Sequence, residues 1–459
     1  MFSTVLIANR GEIALRVART CRELGIRTVA VHSTADRDSA VARFADEAIQ
    51  IGPPQPKASY LNVPAIMEAA LRTGADAIHP GYGFLSEDPY ISEICAAHGI
   101  TFVGPPPEVM ARLADKAETR AVMAAAGLPV LPGSNQTIAD GMAAAELADE
   151  IGYPVIVKAA AGGGGRGMRV VDDPRDFRSA YQRTRAEAQA IFGDGRVYVE
   201  KYLDKARHIE VQVLCDMYGN AIHLGERDCS VQRRHQKLVE ETPGPGLPPG
   251  LGERMGEMAV RGCRAVGYAG AGTFEFLVDT DGSFYLMEIN CRIQVEHPVT
   301  EMVTGIDIVA EQLRVAAGER LAIRQEDVAP RGVSIECRVI TEDAERGFIP
   351  TPGLLEEFQP PAGPFVRVDT HARPGYLVTP DYDSLLAKLV VWGADRPQAI
   401  ARMDRALQEF TVSGKGVRTT IGFLRRILAD PQFRAGEHTT SLVDRMLAEA
   451  ARARAGSLA

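Results

Sequence analysis

The densest group of chemically capable residues lies between Gly272 and Glu301. Two apolar-rich segments, residues 274–277 and 284–290, flank Asp281-Gly282, a dipeptide that favours a two-residue hairpin turn. Across such a turn Glu275 faces Glu288, and like charges in that position repel. A divalent cation between them removes the repulsion. Asn290 lies two residues further along and shares their face. Two carboxylates and an amide oxygen are hard ligands of the kind Mg²⁺ or Mn²⁺ takes. Phe274, Phe276, Met287 and Ile289 make the other face apolar, which argues against a solvated acidic strand. Polar residues recur at every second position through Arg292, Gln294 and Glu296. If the segment stays extended, Arg292 offers a guanidinium fork to a small oxyanion. Glu296 is then a candidate general base beside it.

A second group surrounds the glycine run at residues 162–167, between two strand-like segments. It is not a P-loop, because no Gly-Lys-Ser/Thr closes it. Closely spaced backbone N–H groups in such a loop cradle phosphate, and the loop can fold over it as a lid. Lys158 precedes the run and, like Lys116, is a candidate to reach the same phosphates. His208, Glu210 and Gln212 share one face of a strand-like segment, and residues 232–237 (QRRHQK) form a basic cluster. The cluster lacks the interleaved aromatics of a single-stranded nucleic-acid platform.

These residues need a scaffold. Residues 4–8 read as a strand, 11–24 as a helix carrying Ile13, Leu15, Val17, Ala18 and Cys21 at helical spacing, and 28–32 as a second strand. This opening points to a doubly wound α/β domain, with the turn at residues 77–84 (AIHPGYGF) where ligands of such sheets bind. No GxGxxG follows the first strand, so a dinucleotide reading fails. Helices are predicted at 115–126, 140–150 and 396–409, strands at 154–158 and 169–171. The region 197–301 is dense in strands, interrupted by a Pro/Gly-rich loop at 242–252. Beyond about 331 the pattern changes to short strands and turns.

The chain has 459 residues, or about three domains at ~150 residues each. Hydrophobic residues at 46% and charged residues at 24% are ordinary for a soluble globular protein. The net charge of -9 offers no basic face to nucleic acid, so anionic substrates must be held by local clusters. Seven scattered cysteines, none in a CxxC, speak against a disulfide framework or zinc site and for a reducing compartment. No apolar run approaches the ~18 residues of a membrane span, and the first residues lack a signal-peptide pattern. A cytoplasmic protein is expected.

The motifs taken together resemble those of biotin carboxylase over nearly the full length. They are residues 7–16 (IANRGEIALR), 79–87 (HPGYGFLSE), 158–169 (KAAAGGGGRGMR), 226–237 (ERDCSVQRRHQK), 272–276 (GTFEF), 287–301 (MEINCRIQVEHPVTE), 336–338 (ECR) and 383–389 (DSLLAKL). The resemblance implies an α/β chain of three parts. A Rossmann-like N-terminal domain spans 1–114, and an ATP-grasp domain spans 115–330 with a mobile lid at about 131–203. A β-rich α+β domain spans 331–447, followed by a tail at 448–459. It implies that ATP is held by Lys116, Lys158, Gly164, Gly165, Glu200, Lys201, Tyr202, Leu203, His208, Gln232 and His235, with Glu275 and Glu288. Glu275, Glu288 and Asn290 would bind the metal, two Mg²⁺ or Mn²⁺ ions being expected. Bicarbonate would meet Lys237, Arg292, Gln294 and Val295, and Glu296 would deprotonate it. Arg338 would stabilise the enolate form of biotin near Tyr82. In the implied mechanism, bicarbonate would attack ATP to give carboxyphosphate, whose carbon would pass to biotin N1.

Cys291 stands where such enzymes carry Thr, Pro or Ala, and its place on the apolar face reads as packing. Arg16, Arg19 and Glu23 match a helix used in a two-fold dimer, whereas the apolar partner position near Pro364-Phe365 is less recognisable. The chain has no Met-Lys dipeptide and no carboxyltransferase-sized region. Biotin is therefore expected on a separate carrier protein, with separate carboxyltransferase subunits, and the chain as a homodimer. The rival readings are another ATP-grasp ligase with an amine acceptor, or a catalytically dead regulatory subunit. Intact Lys237, Arg292, Glu296 and Arg338 argue against the second.

Overall fold

The computed structural model describes all residues except Asn135, residues 162–166 and residues 458–459; of the side chains beyond Ala453 nothing is described. The N-terminal part is a parallel sheet whose five strands lie in the order Glu47–Gly52, Arg27–Ser33, Thr4–Ile7, Ala77–His79 and Thr101–Phe102. Thr4–Ile7 is buried throughout, as a central parallel strand covered on both faces must be. The helix Gly11–Glu23 lays Ile13, Leu15, Val17, Ala18 and Cys21 against it. Strand order reverses between Thr4–Ile7 and Ala77–His79, so Glu12 and Tyr82 sit just beyond the strand ends at the switch point.

The backbone of the molecule is an eight-stranded antiparallel sheet. Its order is Phe284–Asn290, Gly270–Val278, Arg207–Cys215, Ala221–Arg233, Gln236–Thr242, Val333–Ile340, Leu385–Gly393 and Val366–Thr370. It runs without a break across residue 331, where the sequence pattern changes. The helix Leu251–Val266 packs on this sheet, inside the stretch predicted to be strands and loop. Its glycines hide it from a propensity reading and make its packing work. A Cβ on Gly256 would lie 2.5 Å from the His223 ring, and one on Gly262 2.7 Å from Phe274.

A smaller layer stands apart. Strands Met168–Val171, Val155–Ala159 and Val197–Lys201 form a three-stranded sheet covered by helices Gly141–Ile151 and Pro174–Phe192. Its core, built on Val155, Val157, Phe177, Tyr181, Val197 and Val199, is separate from the main one. The helix Pro174–Phe192 carries the signals of a bounded helix: an Asp173 cap, proline in the first turn and left-handed Gly193 at its end. The expected helix at 396–409 is present as Arg396–Glu409, and the chain ends in the helix Leu442–Ser457.

Two local expectations need correcting. The hairpin after Val278 is not a two-residue Asp-Gly turn. Asp279 and Ser283 close a three-residue loop, with Gly282 at a φ of 82°. A register shift between Glu275 and Phe276 then offsets the extra residue, and Glu275 does pair with Glu288. The extended alternation also ends at Asn290. Pro298 starts the helix His297–Thr304, and residues 291–296 turn to enter it.

Candidate active site

A cleft of about 1770 Å³ lies between the small layer, the main sheet and the C-terminal strands. Tyr82, Lys116, Lys158, Glu200, Lys201, Tyr202, Leu203, His208, Gln232, His235, Lys237, Glu275, Glu288, Asn290, Arg292, Gln294, Val295 and Arg338 all line it. Gly164 and Gly165 lie outside the described residues. Glu296 does not reach the cleft wall; its side chain is fully buried behind Lys237 and Arg338.

At one end, lysines and carboxylates pair. Lys158 meets Glu200 at 2.6 Å, Arg120 meets the same carboxylate at 2.6 Å, and Lys116 meets Glu288 at 2.6 Å. Burial works against the Lys116 charge, yet Glu288 beside it raises its pKa. Lys201 points elsewhere: its ammonium donates to the carbonyls of Gly152 and Tyr153. The basic cluster folds as a hairpin whose two turn residues, Arg234 and His235, both have positive φ, 47° and 66°. That turn normally takes Asn-Gly, so the backbone here holds strain while presenting both side chains to the cleft. Burial and then Lys158 push the His235 pKa down, leaving a neutral ring at neutral pH.

At the centre Lys237 joins three carboxylates: Glu210 at 2.6 Å, Glu296 at 2.6 Å and Glu275 at 3.0 Å. Glu210 is also held by the fully buried Arg227, whose other nitrogens reach Gln212, Thr273 and Thr300. Burial alone would raise the Glu296 carboxyl, but Lys237 and Arg338 overcome it and hold the group well below the ordinary range. These partners favour the ionised form of Glu296. Arg338 bridges Glu296 at 2.9 Å and Glu240 at 2.6 Å. Arg292 is fixed by Glu87 at 3.0 Å and by the amide oxygens of Asn290 and Gln294.

The expected cation ligands lie on two paired strands. Asn290 donates to Glu275 at 2.8 Å, and Glu275 and Glu288 are cross-strand partners. Two opposed carboxylates suit a hard divalent cation, while the Asn290 amide oxygen accepts from Arg292 at 3.1 Å and would have to turn to join them. Two other groups come close enough to share an ion, His208 with Glu210 and Glu275, and Glu210 with Cys229 and Glu296. The Lys237 ammonium already meets all three of their carboxylates.

The sequence reading left several of these residues without a role. Arg227 sits in phase with buried Cys229 and Val231, and Lys388 interrupts an apolar run; a charge in such a position was the available signal. Glu87 and Glu12 lie inside quoted motifs but face the site only through the fold. Arg120 and Glu240 gave no distinguishing signal. Cys291 packs in the core, as its phase indicated.

Family comparisons divide the chain in three. The model of the biotin carboxylase N-terminal domain matches residues 1–110, that of the carbamoyl-phosphate synthase L chain ATP-binding domain residues 115–324, and that of the biotin carboxylase C-terminal domain residues 336–445. A biotin carboxylase of Nostoc sp. is 53% identical over 97% of this chain and 99% of its own length. The chain belongs to the biotin carboxylase family. It is an ATP-grasp ligase with flanking domains specific to that family. Biotin carboxylase 1 of Bacillus subtilis is 51% identical, covering 97% of this chain and 98% of that one. Among solved structures, a biotin carboxylase–nucleotide complex from Campylobacter jejuni superposes with a TM-score of 0.95 at 50% identity, over 97% and 99% of the two chains. The biotin carboxylase domain dimer of Hydrogenobacter thermophilus 2-oxoglutarate carboxylase, bound to MgADP, ADP and bicarbonate, superposes at 0.94 and 48% identity, over 97% and 98%. Among the described residues no helix is long and apolar enough to cross a membrane.

Proposed function

We infer that this chain carries out the ATP-dependent carboxylation of biotin with bicarbonate. The supporting observation is one chain of ion pairs, Glu275–Lys237–Glu296–Arg338, that links the nucleotide end of the cleft to its C-terminal end. Lys116, Lys158, Gln232, His208, His235 and the stretch Glu200 to Leu203 would hold ATP. Gly164 and Gly165 would cover its phosphates. Glu275, Glu288 and Asn290 would hold the divalent cation, which neutralises phosphoryl charge when bound. Lys237, Arg292, Gln294 and Val295 would surround bicarbonate.

Glu296, held ionised against Lys237 at 2.6 Å just behind the cleft wall, would take the bicarbonate proton. The anion then attacks the γ-phosphate, giving carboxyphosphate and ADP. Carbon transfer to biotin N1 breaks the bond from carbon to the phosphate oxygen, and the released phosphate takes the N1 proton, while Arg338 meets the charge developing on the ureido oxygen near Tyr82. The separate core of the small layer supports its role as a lid, within the division 1–114, 115–330, 331–447 and tail 448–459. Biotin would arrive on a carrier protein and leave to a carboxyltransferase subunit in a reducing cytoplasm. There the seven cysteines, all free and buried, need no partner. Two chains would pair through the helix Gly11–Glu23, whose Arg19 and Glu23 are exposed. Arg16 is committed within the chain, to Glu301 at 2.9 Å and Asp307 at 2.8 Å.

The deciding assay is phosphate release. ATP cleavage should require bicarbonate and rise strongly with biotin. Folded protein that cleaves ATP no faster with both substrates than with neither would overturn the reading.

A further inference from the structure

The strand Leu385–Gly393 carries one charged residue, Lys388, and its side chain is fully buried. Its ammonium donates to the carbonyl of Val295 at 2.9 Å and pairs with Glu12 at 3.0 Å, with Asp369 further off at 3.8 Å. Glu12 in turn accepts from the Tyr82 hydroxyl. One lysine therefore joins the C-terminal strands, the first helix and the turn at residues 291–296. Lys388 also lies directly across the ladder from Arg338.

Burying a lysine and its partner carboxylate costs more desolvation than an apolar pair of the same volume. What an apolar pair lacks is a donor for the carbonyl. Val295 sits within the turn that presents Arg292, Gln294 and Glu296. The turn's closing backbone bonds, from His297 to Gln294 and from Val299 to Glu296, span 3.4 and 3.3 Å, and the His297 ring at 2.7 Å from the Gln294 carbonyl and Glu87 accepting from the Cys291 N–H at 3.0 Å brace its other positions. The Val295 carbonyl is held from outside the turn by Lys388.

We propose that Lys388 is a positioning residue for the bicarbonate pocket, fixing the Val295 carbonyl so that the turn holds its donors in place. This rests on the reading of Arg292, Gln294 and Val295 as that pocket. Lys388→Met should raise the KM for bicarbonate about tenfold or more, the loss of one charge-assisted hydrogen bond, and leave the KM for ATP unchanged. The single variant also strands Glu12, so a fall in stability accompanies it. Glu12→Gln/Lys388→Met removes both buried charges. Its melting temperature should recover while its bicarbonate KM stays high. Recovery of both together, an unmoved bicarbonate KM in either variant, or a double variant that does not fold would each overturn the proposal. Arg292→Ala separates the two readings. If its bicarbonate KM is unmoved, the pocket itself is misassigned; if it rises while the Lys388 variants do not respond, only the role of Lys388 falls.

Discussion

Glu296 and Arg338 share one ion pair but are proposed for different steps, so their variants should fail differently. Glu296→Ala removes the base, and ATP cleavage and biotin carboxylation should fall together by roughly 10²–10⁴-fold. Arg338→Gln should depress carboxylation more than bicarbonate-dependent ATP cleavage. Phosphate release, carboxybiotin yield and melting temperature measured together test this; a folded Arg338→Gln protein with both activities still coupled would reassign the residue. The chemistry at this scale was legible because acid, amide and guanidinium alternate along one short segment. Glu240 and Glu336 were not legible as a pair, because only the ladder sets them opposite each other. Burial is their dominant influence, raising Glu240 to about 7 against the pull of Arg338, and raising Glu336 well above the ordinary carboxylate range. The folded chain therefore keeps protons that the unfolded chain has released in the same pH range. The contribution of these two groups to stability should be full below the ordinary carboxylate range and decline as the pH rises towards 7. Glu240→Gln/Glu336→Gln should flatten that slope in melting curves taken from pH 5 to 8.

Among the elements, the hairpin at Arg234-His235 holds functional side chains on a turn that resists them. Asn-Gly in their place relieves two left-handed non-glycine residues, each a strain of order 1–3 kcal/mol. The doubly substituted protein should melt higher and bind ATP more weakly. A higher melting point with unaltered ATP affinity would remove His235 from the nucleotide site. The hairpin at 279–283 shows how a right pairing arises from a wrong turn. Asp281-Gly282 signalled reversal, but Gly282 takes its left-handed place in a three-residue loop, and a later bulge restores the register of Glu275 and Glu288. Period-two patterning reports which residues share a face and is blind to a pair of compensating shifts. It also read 291–296 as strand, although Pro298 two residues beyond favours a helix start.

For the whole molecule, the opening β-α-β pattern was enough to find the doubly wound N-terminal sheet. The change of pattern near 331 is real in composition but not in hydrogen bonding. Gln236–Thr242 and Val333–Ile340 pair as neighbours in the large sheet, from Val239 with Cys337 to Thr242 with Ser334. A cut in the connection between 325 and 331 should therefore leave two fragments that stay together. Gel filtration of nicked protein should give one peak at the size of the intact chain; two separate peaks would show that the ladder is dispensable. Expressed alone, either fragment would present a long unpaired strand edge, an invitation to aggregation. The sheet thus sets the grain size of inheritance for this protein. Gene rearrangements that fuse it to other enzymes can place their junctions before the first strand or after the last helix. A junction at 331, where composition invites one, would deliver two insoluble products in place of two modules.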